Sequence, residues 1–227
     1  MQVNPEIASV VKPDSFGAKM AFKVRRKIYG KLAENIDLEQ LESILDVGVT
    51  ADSQAAYSNF FECFYPHSDR ICALSDQDAS ALEKLFPGLT FVQGDGCCLP
   101  FDDDSFDLVF SSAVIEHVGN YHRQKALIAE ALRVSRKYVF ITTPNRWHVF
   151  EFHTYWPFLH WLPKKLHRMI LRCLGLRYLS KEENLNLLSR RTLKRICREL
   201  GIKYQIMTVD FLLMPSNLLL LIEKNDR

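Results

Sequence analysis

The chain has 227 residues, 48% of them hydrophobic and 25% charged, enough for one domain with a full-sized core and too ordinary for wholesale disorder. A net charge of +2 hides an asymmetry, because Asp37 to Glu116 is acid-rich with only Arg70 and Lys84 as bases, while Arg146 to Lys203 is strongly basic. No run is apolar enough to span a bilayer, Met1 to Lys12 shows no secretory leader, and six scattered cysteines without C-x-x-C exclude a disulfide framework or zinc site. Such thiol usage predicts a cytoplasmic protein without a metal.

Taken in order, the segments alternate between strand-like and helix-like patterns, which predicts α/β architecture in a single domain, residues 1–227. Ala18 to Leu32 reads as a basic helix within an N-terminal cap, residues 1–37. Ser43 to Val47 is the first predicted strand, with a helix over Ser53 to Phe64. Arg70 to Leu74 follows as a strand, Asp78 to Leu85 as a helix, and Leu89 to Gln93 as a third strand. Phe106 to Ser111 and Lys137 to Thr142 are the fourth and fifth strands, around a helix from Gln124 to Val134. Apolar spacing at Leu193, Ile196, Cys197 and Leu200 predicts a helix closed by Gly201. Two final strands, Tyr204 to Val209 and Leu218 to Glu223, are split by Met214-Pro215-Ser216-Asn217.

In open parallel sheets, ligands bind beyond the carboxyl ends of the strands, so the informative residues should follow each strand. After the first comes Asp46-Val47-Gly48-Val49-Thr50, where glycine lets the backbone approach a ligand closely. After the second come Asp76 and Gln77, where a carboxylate can accept from both hydroxyls of an adenosine ribose. Gly94-Asp95-Gly96 follows the third, placed to read an adenine edge. Ser111-Ser112-Ala113-Val114-Ile115-Glu116-His117 follows the fourth.

ILDVG, then the acid Asp76, then GDGCCLPFDDDSFDLVFSSAVIEHV together resemble the core of class I S-adenosylmethionine-dependent methyltransferases, particularly the type 11 group. The resemblance covers Ile44 to Pro144. It implies a Rossmann-like, mixed seven-stranded sheet with helices on both faces and S-adenosylmethionine as cofactor. It places Asp46 and Gly48 at the methionine end, Asp76 at the ribose and Asp95 at the adenine amine, and Thr50 and Gln77 are further expected cofactor-binding residues. Gly96 and Cys97 would flank the adenine, with Ser111 near the reactive sulfonium. The chain departs from the family in its first loop, where Thr50 and Asp52 replace later glycines. Asp46 and Asp76 are also 30 residues apart, against roughly 20 in the usual spacing.

Residues 146–188, following the fifth strand, predict an aromatic and basic lid. Within it Arg146, His148 and His153 are expected to face the acceptor, and Lys164, Lys165, Arg168 and Arg172 to face outward. Methylation of a hydroxyl benefits from a base, and His117 and His153 are the expected catalytic residues. The expected acceptor is a small molecule, a glycan or a lipid-linked compound, modified on oxygen, with peripheral membrane contact. The Asn-Pro-Pro-Tyr amine-methylation signature is absent, and so is any RNA-binding motif, so nucleic acid is not the expected partner. A nicotinamide enzyme would require a fuller G-x-G-x-x-G. The remaining alternative is a methyltransferase-like scaffold that has lost the reaction.

Overall fold

In a computed structural model that describes residues 16–51, 58–150 and 156–224, the strands are β1 (Ile44–Val47), β2 (Ile71–Ser75), β3 (Thr90–Gln93), β4 (Phe106–Ser112), β5 (Ser135–Pro144), β6 (Gln205–Phe211) and β7 (Met214–Glu223). They form one sheet in the order β3-β2-β1-β4-β5-β7-β6. The first five run parallel, and β7 enters antiparallel between β5 and β6. The expected mixed seven-stranded Rossmann-like sheet is therefore present.

Strand alternation sorts side chains onto two faces. In β1, Ile44 enters one apolar cluster while Leu45 and Val47 enter the other. Helix α1 (Phe16–Asn35) covers the first face through Ile28, Tyr29 and Leu32, together with α2 (Phe60–Phe64) and the short α3 (Leu82–Leu85). Stacking of Phe61 on Phe110, with ring centroids 4.6 Å apart, locks α2 onto β4. Helices α4 (Tyr121–Val134) and α6 (Arg190–Glu199) cover the second face through Leu127, Ile128, Leu193 and Ile196. Asn120 and Ser189 cap them, accepting from the amides of Arg123 and Thr192.

Several boundaries differ from the sequence reading, and the helix expected over Asp78 to Leu85 is observed only as Leu82–Leu85. The helix expected over Ser53 to Phe64 is observed only as Phe60–Phe64, and residues 52–57 lie outside the described ones. Helix α4 starts three residues early, because Asn120 supplies its cap. The split expected at Met214 to Asn217 lies inside β7, and the turn is Leu212-Leu213 instead. Pro215, which has no N–H to donate, is accommodated by a register irregularity between Val209 and Asp210. Between β5 and α6 lie a short helical turn, Leu159–Trp161, and helix α5 (Lys164–Cys173). No helix among the described residues is long and apolar enough to cross a membrane.

Candidate functional site

Strand order reverses between β1 and β4, and there the carboxyl ends of β1 to β4 open a cleft of about 750 Å³. Gly48 forms its floor at φ +99, donating its amide to the Leu74 carbonyl at 2.7 Å. A Cβ built on Gly48 would stand 2.1 Å from Cγ2 of Val114, so only glycine fits both the backbone and the space. Gly96 is similarly confined, its virtual Cβ 2.8 Å from Cγ1 of Val47. Glycine at these two points brings bare backbone against whatever fills the cleft.

The glycine-poor first loop has a local explanation. Asn59, itself buried, accepts from the Thr50 amide through Oδ1 at 2.9 Å and donates through Nδ2 to the Thr50 carbonyl at 2.9 Å. This clamp satisfies both backbone groups of Thr50, which is not among the residues at positive φ, so a β-branched side chain is tolerated. Thr50 lines the cleft.

Asp76 and Gln77 follow β2 into the cleft, both exposed. The Asp76 carboxylate accepts no hydrogen bond from the described residues, leaving its acceptor sites open to a ligand. Asp95 and Gly96 line the opposite end. Both Asp95 oxygens lie 2.9 Å from Nη2 of Arg123, and Oδ1 also accepts from the Cys97 amide. Partial burial alone would raise the Asp95 pKa, but these donors outweigh it and hold the carboxyl below its usual range.

Several sequence candidates lie elsewhere. Asp46, Cys97 and Ser111 do not line the cleft. Alternation along β1 turns Asp46 onto the α1/α2 face, where it is buried against Glu62. Ser111 is buried beneath the floor, donating to the Val47 carbonyl at 2.9 Å. The Cys97 thiol points to the Arg123 carbonyl, and burial pushes it up to about 11. His148 is buried within the segment after β5, its Nε2 3.2 Å from the Phe211 carbonyl and its Nδ1 3.0 Å from the Phe150 carbonyl. Arg146 donates to the Leu162 carbonyl and lines a separate small cavity with Lys164 and Arg168. Arg146 and His148 therefore do not face the cleft, and Lys164, an exposed residue, directs its ammonium to the Asn186 side chain. His153 lies outside the described residues.

His117 does reach the cleft. Its Nδ1 lies 2.6 Å from the Asn184 carbonyl, which can only accept, so the hydrogen sits on Nδ1 and Nε2 is the basic nitrogen. Fully buried Glu116 brings Oε1 to 3.9 Å from that Nε2, while its Oε2 accepts from Thr143 at 2.8 Å.

Sequence reasoning missed Asn59, Arg123, Glu182 and Glu183, of which the last three line the cleft. Arg123 was discoverable: its position, three residues after an Asn cap, puts it in a helix's first turn at the rim. Glu182 and Glu183 come from a distant stretch that only the fold brings over.

The buried pair Asp46 and Glu62 has a consequence for stability. Burial foremost, then the neighbouring Glu62, raises Asp46 well above the usual carboxylate range, and burial raises Glu62. Raised folded-state pKa values give stability that is complete in acid and lost as pH rises through them. Thermal melts should show Glu62→Gln gaining more melting temperature at pH ~8 than at pH ~5, because it removes the repulsion that grows with ionisation. An equal shift at both pH values would mean that the pair carries no such term.

Residues 45–141 match the family model described as a methyltransferase domain. The phthiotriol/phenolphthiotriol dimycocerosates methyltransferase of Mycobacterium tuberculosis is 32% identical over 111 residues, which are 48% of this chain and 39% of that protein. The match thus spans about two-fifths of the relative's length. Among solved structures, a SAM-dependent methyltransferase from Aquifex aeolicus aligns over 96% of both chains with a TM-score of 0.56 at 13% identity. The magnesium protoporphyrin IX methyltransferase of Synechocystis, solved with bound SAH, aligns over 99% of this chain and 90% of its own, with a TM-score of 0.51 at 13% identity. At such identities the likeness is one of fold.

Proposed function

We propose, on the match of residues 45–141 to the methyltransferase-domain model, that the chain transfers a methyl group from S-adenosylmethionine to an acceptor oxygen. The observation that carries this reading is the cleft itself, which pairs bare backbone at Gly48 and Gly96 with the open Asp76 carboxylate. Asp76 would accept from the ribose hydroxyls, with Gln77 beside it. Asp95, steadied by Arg123, would take the adenine end, with Gly96 giving close approach. When bound, the cofactor supplies an electrophilic methyl on a positively charged sulfur.

The protein's own tasks are to orient the acceptor, exclude water and remove a proton. His117 performs the last through Nε2, which stands 3.9 Å from the Glu116 carboxylate. The acceptor is a small-molecule, glycan or lipid-linked alcohol, and the chain works at a membrane periphery with residues 146–188 as the lid. The mycobacterial relative, by its name a methyltransferase of phthiotriol and phenolphthiotriol dimycocerosates, supports the lipid-linked arm. The basic segment after β5 supports an acceptor with an anionic carrier.

Isothermal calorimetry tests the cofactor. S-adenosylmethionine or its homocysteine product should bind with micromolar affinity, and NAD should not. Asp76→Ala should weaken that binding by about 1.5–3 kcal/mol, through loss of charge-assisted hydrogen bonds. Tight NAD binding, or no binding of either cofactor, would overturn the proposal, the second in favour of a scaffold.

A further inference from the structure

Five non-glycine residues among those described have positive φ, and three of them, Phe158, Leu212 and Leu213, are large, apolar and exposed. Leu212 and Leu213 form the two-residue turn between β6 and β7, at φ 51 and 61. Such a turn is normally made by Asn, Asp or Gly, because L side chains pay for this conformation. Here it displays leucines, 63% and 99% exposed, to the surroundings. Neither propensity nor burial among the described residues explains leucine there, which marks the turn as a candidate contact surface.

The register gives the location of this turn. Antiparallel β7 pairs Asn217 with Pro144 at the carboxyl end of β5, so the turn projects from the edge of the sheet that carries the cleft. The His148 bond to the Phe211 carbonyl joins the turn to the segment after β5, which exposes Trp147, Trp156 and Phe158 by about half. Helix α5 then adds an exposed stripe of Leu166 and Met169. At 100° per residue this stripe points about 170° away from buried Leu171. A second stripe, Lys165, Arg168 and Arg172, runs beside it. Grooves of about 500 Å³ (Arg172, Cys173, Arg177, Ser180, Lys181) and about 270 Å³ (Lys165, Arg168, Met169, Arg172) continue the basic surface.

We infer that this edge docks on an anionic lipid bilayer, with Leu212, Leu213 and the aromatic side chains entering the interface and the bases of α5 meeting lipid phosphates. Charge decides the occupant. Exposed Trp, Phe and Leu flanked by Lys and Arg match an interface whose headgroups are negative and whose interior is apolar. The inference rests on the reading of a lipid-linked acceptor and explains how one would arrive. Lys181, which lines a basic groove, is followed directly by Glu182 and Glu183 of the cleft wall, and Arg168 pairs with Glu182 at 3.2 Å.

Vesicle flotation tests the docking surface without cofactor or turnover. The chain should bind phosphatidylcholine vesicles containing phosphatidylglycerol and ignore vesicles of phosphatidylcholine alone. Leu212→Asn with Leu213→Gly should weaken binding by about tenfold or more while raising the melting temperature, because the new residues suit the turn. Lys165→Glu with Arg172→Glu should weaken it in a salt-dependent manner. Equal binding to both vesicles, or full binding by the turn variant, overturns the inference. So does light scattering that shows a dimer dispersed by the turn variant, which would assign the leucines to a second copy. Calorimetry with S-adenosylmethionine on the same preparations separates the two readings. Cofactor binding without vesicle binding removes only the docking surface, and the reverse removes only the methyltransferase proposal.

Discussion

Gly48→Ala should lower the affinity for S-adenosylmethionine by roughly tenfold to a hundredfold, about 1.4–2.7 kcal/mol, with the rest of the penalty appearing as a lower melting temperature. Two penalties combine. An alanine at φ +99 costs about 1–2 kcal/mol, and its methyl would stand 2.1 Å from Cγ2 of Val114, an overlap costing about 1–3 kcal/mol to relieve. Val114 has little room to withdraw, because Ala113 is already at φ 58 with its amide tied to the Thr142 carbonyl at 2.9 Å. The floor must then rise into the cleft, so the loss falls on binding as well as on folding. Gly175→Ala is the control: its φ is +79, but nothing lies within 4 Å of its virtual Cβ, so it should cost stability alone. Calorimetry on both variants decides the matter, and unchanged binding by Gly48→Ala would show that the cofactor does not rest on this turn.

His117→Ala should reduce turnover by roughly two to four orders of magnitude while leaving cofactor affinity near that of the wild type. The expectation follows from geometry. The Asn184 carbonyl fixes the hydrogen on Nδ1, the Glu116 carboxylate stands 3.9 Å from Nε2, and the ring lies on the cleft wall. A base acts only as the acceptor loses its proton, so its removal should appear in kcat rather than in cofactor binding. Methyl transfer to the acceptor, measured at saturating cofactor, reads this directly. Full turnover by His117→Ala together with loss by His153→Ala would move the base to His153.

The order of strands and the residues following each were legible because they depend on short-range signals. A strand buried on both faces reads as an apolar run, and the acid or glycine closing it is only one or two residues away. Gly48, Asp76 and Asp95 all follow from that logic, whereas His117, five residues beyond β4, was read from the longer run that follows that strand. Asp46 and Ser111 show its limit. Both sit in the correct segment, but period-two alternation turns Asp46 toward Glu62 and Ser111 toward the Val47 carbonyl. The segment after β5 was misread for a different reason. Its cations and histidines were assigned by composition, whereas Arg146 and His148 are spent on the carbonyls of Leu162 and Phe211, which no local pattern reveals. The Leu212-Leu213 turn was hidden because its residues contradict the conformation they adopt.

The pair of hydrogen bonds between Asn59 and Thr50 has an engineering corollary. They fasten the chain where it leaves the floor of the cleft and where it enters α2, so the spacing of those two points no longer depends on how many residues join them. Closing a longer flexible connection costs only about 0.6 kcal/mol per doubling of its length. Residues 51–58 are accordingly the stretch of this chain best suited to carry a graft (a reporter peptide, a split-protein fragment or an affinity handle).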